Sequence, residues 1–264
     1  MWLFRKNSWI TAERLPTSLF AFALLTLVSL MQLPASALIR HYDFSIGVLV
    51  NEWILLFALI YTLLCGFKID LKKLFPQQAL TKKAWGHTVA LSLALCIVID
   101  YATFFSEQFF PLPAEFKDFL KRILSIHSWQ EGVWKWFLLC MTPAFCEEFF
   151  FRGVLQGSLT RQLPRMWAVS VTALFFAILH GNPWYFHLYL LLGFYLCWLL
   201  QISQNIWIPI LAHFMNNSWT YFTAITDQKI PHDEHFQQMD GFIFAVSLLA
   251  VYWFGRKFVA ACKM

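Results

Sequence analysis

The stretch WKWFLLCMTPAFCEEFFFRGVLQG, residues 134–157, decides what kind of molecule this is. About 20 mainly apolar residues cross a hydrocarbon core of ~30 Å as a helix, and this segment is long and apolar enough to do so. It nevertheless carries Glu147, Glu148 and Arg152 within it. Ionisable side chains at membrane depth are costly and are kept where they face partners or a wet cavity. The segment therefore reads as a membrane helix with chemistry at its centre, and the rest of the chain must supply what surrounds it.

The composition agrees. The 264 residues are 59% hydrophobic and 13% charged, against about 25% charged in a soluble domain. Aromatic residues reach 19%, as suits lipid contact and the membrane interface. The net charge of +5 is not gathered into a basic patch on a soluble segment, so no nucleic-acid partner is expected. Cys65, Cys96, Cys140, Cys146, Cys197 and Cys262 lie in or beside apolar segments without a CxxC spacing. They read as small apolar residues and not as a zinc or disulfide framework.

Outward from residues 134–157, eight apolar segments fit spans: 17–39, 46–67, 86–110, 133–160, 165–181, 184–202, 206–225 and 239–260. The predicted fold is an all-α polytopic transmembrane bundle, one domain over residues 1–264, with its motif core in 140–220. The first apolar run is too long for a signal-peptide core and reads as a retained span. With a cytoplasmic N-terminus, the inside segments carry 13 Lys and Arg against 5 outside. That bias predicts a multi-pass membrane protein with both termini cytoplasmic; a bacterial inner membrane is the expected location. Arg5, Lys6, Lys73, Arg161 and Arg165 count inside; Lys117, Lys121, Arg122 and Lys229 count outside. Between the third and fourth spans, Phe116, Phe119, Leu120, Ile123 and Leu124 recur at helical spacing opposite Lys117, Asp118, Lys121 and Arg122. This is an amphipathic helix, lying on the membrane or packed over the mouth of the bundle. The basic 68–85 loop suits anionic headgroups.

Three polar clusters sit inside the spans. In the first, Glu148 and Arg152 are four apart and share a helix face, where they can pair. Glu147 is turned about 100° away and has no partner on its own helix. A partly desolvated carboxylate of that kind suits a general base near neutral pH. In the second, the helix from Met166 to His180 is only about 22 Å long, and Gly181-Asn182-Pro183 stops it. Broken backbone at membrane depth is tolerated where protein or a cavity satisfies it. Glu147 precedes the Leu163-Pro164 turn by about sixteen residues and His180 follows it by about as many. In an antiparallel hairpin both then lie at one depth, ~24 Å from the turn. In the third, His213 and Asn217 share a face and suit oxyanion stabilisation, or an interhelical hydrogen bond. Glu52, Asp100 and Lys135 also fall in or beside spans and read as cavity-lining or paired residues; His187 reads as a rim residue, and Asn216 as a neighbour of the third cluster.

The Glu-Glu-x-x-x-Arg, Phe-x-x-x-His and His-x-x-x-Asn order resembles the CPBP family of CAAX proteases and bacteriocin-processing proteins, also called Abi. The resemblance implies an intramembrane peptide hydrolase of glutamic type acting on a membrane-associated peptide or protein: a CAAX-like tail, a leader or a sorting-signal segment. It implies that Glu147 and His180 activate water, that His213 and Asn217 stabilise the oxyanion, and that Glu148 and Arg152 support them. It favours a mechanism without cofactor. A zinc-dependent version would draw on Glu147, His180 and His213. The competing readings are a non-enzymatic immunity or scaffold protein, in which the polar cluster is glue, and a proton-relaying transporter, which the lack of an internal repeat disfavours.

Overall fold

The computed structural model describes residues 10–11, 13–41, 43–227 and 234–263. Arg5, Lys6 and Lys229, on which the charge bias partly draws, lie outside the described residues. Nine helices are described: α1 (Ser18–His41), α2 (Phe44–Gly66), α3 (Lys82–Phe109), α4 (Ala114–Leu124), α5 (residues 129–159), α6 (Arg165–Leu179), α7 (Phe186–Ser203), α8 (Trp207–Asp227) and α9 (Glu234–Cys262). Eight correspond to the expected spans, and α4 is the amphipathic helix. The protein is an all-α bundle and an integral membrane protein. By length and composition α2, α3, α7 and the Gly241–Cys262 part of α9 suffice to cross a membrane, while Ser18–Gln32 and α6 are shorter apolar helices. Apart from amphipathic α4, the helices outside that set are α5 and α8, which carry Glu147, Glu148, Arg152, His213 and Asn217.

Helix α5 is central. It packs on α1, α2, α6, α7 and α8, while α9 lies against α3 on one flank. Its start is set by local chemistry: the Ser128 hydroxyl accepts from Glu131 N–H, and the Glu131 carboxylate accepts from His127 N–H. Two exposed N–H groups of the first turn are thereby satisfied. Glu131 also pairs with Lys135 at 2.8 Å, and Lys135 donates to the Ser125 carbonyl. Lys135 is thus a paired residue at the mouth of the bundle and not a free charge in lipid. The hydrogen bond and charge from Lys135 hold the Glu131 carboxyl below its ordinary range.

The winding of α5 is uneven. Phe137–Met141 and Phe149–Gln156 are π-helical, and the carboxylates lie on the α-helical turns between them, Thr142–Glu148. Pro143 accounts for the first wide turn. It has no N–H to offer the Leu139 carbonyl four residues back, and its ring crowds that position. At the end of this wide turn Thr142 N–H reaches five residues back, to Phe137. Single wide turns of this kind recur at functional sites.

Helices α6 and α7 approach closely at Gly193. A Cβ on Gly193 would stand 3.0 Å from the Ala173 Cα and 3.2 Å from its carbonyl oxygen. Small residues permit such contact between membrane helices. Gly193→Ala is expected to push α6 from α7 and destabilise the bundle by about 1–3 kcal/mol, the usual cost of overpacking; an unfolding titration in detergent checks this.

The 68–85 segment is packed, not free. Leu74 is buried, and residues 76–78 are stitched to the turn after α7: Ile206 N–H donates to the Pro76 carbonyl, Gln78 N–H to the Gln204 carbonyl, and the Asn205 amide to the Gln78 carbonyl. Helix α4 sits at the opposite end. Phe116 rests on Trp184 with ring centroids 5.5 Å apart, and α4 also touches α8. Of the two placements open to it, α4 takes the one over the bundle mouth.

Candidate active site

The site is assembled by the ends and turns of α5, α6 and α8. His180 caps α6, and the next residue, Gly181, adopts φ +62°, a conformation glycine enters without steric cost. The side-chain oxygen of buried Asn182 then accepts from the N–H groups of Trp184 and Tyr185, turning the chain into α7. Tyr185 donates to Glu107 at the end of α3, which ties the turn to its neighbour. The break expected at Gly181-Asn182-Pro183 is therefore a built turn with its polar atoms satisfied.

That turn fixes His180. Its Nδ1 lies 2.7 Å from the Phe176 carbonyl, which can only accept, so Nδ1 carries a proton. In the neutral ring, Nε2 is then an acceptor. Tyr189 of α7 stacks on the imidazole, with centroids 4.0 Å apart. Nε2 faces Glu147 Oε2 at 3.9 Å. The two residues predicted to share one depth on neighbouring helices do so. Glu147 Oε2 makes no hydrogen bond to the protein.

Behind this pair lies a second, sealed one. Glu148 Oε1 sits 2.9 Å from His213 Nδ1 on α8 and 3.0 Å from Arg152 Nη1. The Arg152 contact is an ion pair without hydrogen-bond alignment. The guanidinium also stacks over Phe176 at 4.4 Å and donates to the Gly193 carbonyl at 3.4 Å. Exposure separates the two sets: the side chains of Glu147 and His180 are 15% and 20% accessible, those of Glu148 and Arg152 not at all, and that of His213 2%. The adjacent glutamates thus face different surroundings. Glu147 keeps a partly accessible side chain, whereas Glu148 is sealed between His213 and Arg152. With Nδ1 engaged, Nε2 is the His213 atom left to face a reactant.

Asn217 stands one turn beyond His213. Its amide nitrogen approaches the Leu139 carbonyl at 3.4 Å. This is the carbonyl that Pro143 leaves without its usual donor, so a proline on α5 creates the acceptor that holds a carboxamide on α8. Asn216 in turn donates to the Asn217 side-chain oxygen at 3.4 Å.

Several neighbours escape sequence reasoning or are underweighted by it. Glu52 of α2 is buried, accepts from the Asn51 amide at 2.9 Å and acts electrostatically on Glu147, as do Glu148 and Arg152. Tyr189 carries no motif of its own, although an aromatic on the helix after a broken one is a natural support for a histidine at the break. Pro143 is the available signal for the Leu139–Asn217 contact. Asp100 accepts from the Trp219 indole, tying α3 to α8. His187 is exposed, in keeping with a rim position.

Glu147, His180 and His213 do not form a metal-ligand set. Among the described residues no group of three or more His, Cys, Asp or Glu side chains is placed to hold a metal ion.

A helical membrane bundle with paired carboxylates and imidazoles at the break between two helices defines the class. Within it, residues 129–219, about a third of the chain, match the family model described as Type II CAAX prenyl endopeptidase Rce1-like. The "Putative membrane peptidase YdiL" of Bacillus subtilis (strain 168) is 32% identical over 73 residues, which are 28% of this chain and 30% of that protein. No solved structure matches. The likeness to the CAAX protease family drawn from the three motifs is borne out over that segment.

Proposed function

We propose that this protein is an intramembrane endopeptidase that hydrolyses a peptide bond of a membrane-associated substrate, of CAAX-tail, leader or sorting-signal type, in a glutamate-dependent reaction. The observation that carries the reading is the approach of Glu147 Oε2 to His180 Nε2 at 3.9 Å. That separation is short enough for one water oxygen, once admitted between them, to lie within hydrogen-bond range of both atoms.

The chemistry follows from these atoms. Water gives one hydrogen bond to Glu147 and one to the His180 lone pair, which the Phe176 contact keeps available. As its oxygen bonds to the scissile carbonyl carbon, Glu147 takes the proton. The developing oxyanion lies between His213 Nε2 and the Asn217 amide. Nε2 donates in the imidazolium, or in the neutral ring when the proton shared with Glu148 resides on the carboxyl; either way the ring keeps its orientation. Collapse breaks the C–N bond, and the proton held by Glu147 passes to the leaving amine.

The test uses purified protein in liposomes with lipidated and unlipidated peptides, read by mass spectrometry. New peptide termini are expected with the wild type and not with Glu147→Gln. Cleavage is expected to persist in 1,10-phenanthroline; a loss that zinc restores would replace this mechanism with a metal-dependent one. A scaffold or immunity protein would yield no new termini from any peptide.

A further inference from the structure

The end of the bundle remote from α4 holds a second polar cavity, of about 360 Å³, between α5, α6, α7 and the 71–78 segment. Lys73, Arg161 and Arg165 stand around it, and Arg152, Gln156 and Gln201 also line it. Among the described residues no carboxylate does. Three of its polar atoms are buried without a hydrogen-bond partner: Arg152 Nε, Gln156 Oε1 and Gln201 Nε2. Arg152 and Gln156 are 0% and 2% exposed. Native structures rarely leave several such atoms together without cause.

The two arginines are held in place. Arg161 Nη2 donates to the Lys73 carbonyl at 3.4 Å, and Arg165 Nη2 to the Gln201 carbonyl at 2.9 Å. Both guanidinium groups retain donors beyond these contacts. Burial lowers the Arg161 pKa from its ordinary value, and Glu13, which does not line the cavity, acts against the shift. Guanidinium groups and the unpartnered Gln201 amide N–H beside a small concavity suit bidentate binding of a phosphate oxyanion, while Gln156 gives its amide N–H to the Cys197 carbonyl. We propose that this cavity is a binding site for a phosphate-bearing anion, either the headgroup of an anionic phospholipid or a free phosphate compound, held chiefly by Lys73, Arg161 and Arg165.

The site lies at the opposite end of α5 from α4 and involves none of the groups that touch the reactant, so binding is measured without reference to peptide cleavage. Two probes distinguish the sources. Inorganic pyrophosphate is titrated against the detergent-solubilised protein at fixed ionic strength and followed by the melting temperature. Phosphatidylglycerol retention, against phosphatidylcholine, is followed by native mass spectrometry after release from nanodiscs. The wild type is expected to bind one of the probes, and both Lys73→Gln and the double variant R161Q/R165Q to bind it about tenfold or more weakly. Lys73 keeps its backbone contact when its side chain changes, so this variant remains informative if the double variant fails to fold. Lys82→Gln/Lys83→Gln, which removes two exposed cations outside the cavity, is expected to leave binding unchanged. Pyrophosphate dependence would assign a free phosphate, and selective phosphatidylglycerol dependence a headgroup. Equal binding by wild type and cavity variants, an equal loss in the Lys82/Lys83 control, or no binding of either probe would overturn the proposal.

Discussion

Glu147→Gln is expected to lower peptide cleavage by about 10²–10⁴-fold, the range for loss of a positioned general base, while leaving the fold intact. The substitution keeps size and shape. It also removes no protein contact made by Oε2, which has no hydrogen-bond partner. Glu52 and Glu148 repel its charge and Arg152 attracts it, in that order of effect, so a neutral side chain gives up more repulsion than attraction. The measurement pairs initial rates in liposomes with an unfolding titration of the same preparation. Unchanged rates would remove Glu147 from the reaction. A collapse of stability matching the loss of rate would make the carboxylate structural glue, the reading that a scaffold protein requires.

The largest effect on stability is expected from Arg152→Met. Arg152 and Glu148 are both fully buried and 3.0 Å apart. Removing one partner of such a pair leaves an uncompensated charge in a low-dielectric interior, at a cost of about 3–5 kcal/mol. The lost stacking on Phe176 adds to this. The double variant Glu148→Gln/Arg152→Met is expected to recover part of the stability, because no charge is then stranded. Its cleavage rate is expected to stay low, since a carboxamide at position 148 no longer holds His213 as the carboxylate does. A double variant no more stable than the single one would show that the pair is not energetically coupled.

Much of this arrangement is legible in the chain. Periodicity and length yield eight of the nine helices, and counting from the Leu163-Pro164 turn yields the common depth of Glu147 and His180. The Glu148–Arg152 pair follows from spacing on one helix. What periodicity cannot supply is the rotation of one helix about its axis relative to another. The Glu148–His213 contact joins residues on α5 and α8 and depends on that rotation, as does the approach of Glu52 from α2. Hydropathy likewise marks α4 as amphipathic but leaves open which surface it covers. The Phe116–Trp184 contact, which answers this, depends on where the α6–α7 turn is carried in space. The Pro143–Leu139–Asn217 relation is half visible: a proline frees a carbonyl wherever it interrupts a helix, but only the packing of α8 shows who takes it.

The two wide turns that flank Thr142–Glu148 also act as register devices. Each stores roughly one residue more than a uniform α-helix needs to cover the same rise. Deleting a residue within 137–141 would swing everything before it by about 100° relative to the carboxylates, and an insertion between 142 and 146 would turn both glutamates together by about 100° relative to the residues before it. Chain length in this stretch is therefore as constrained as residue identity. A side-chain change such as Phe to Leu leaves that phase untouched, whereas a single-residue indel, however bland in composition, rewires the acid–imidazole partnerships.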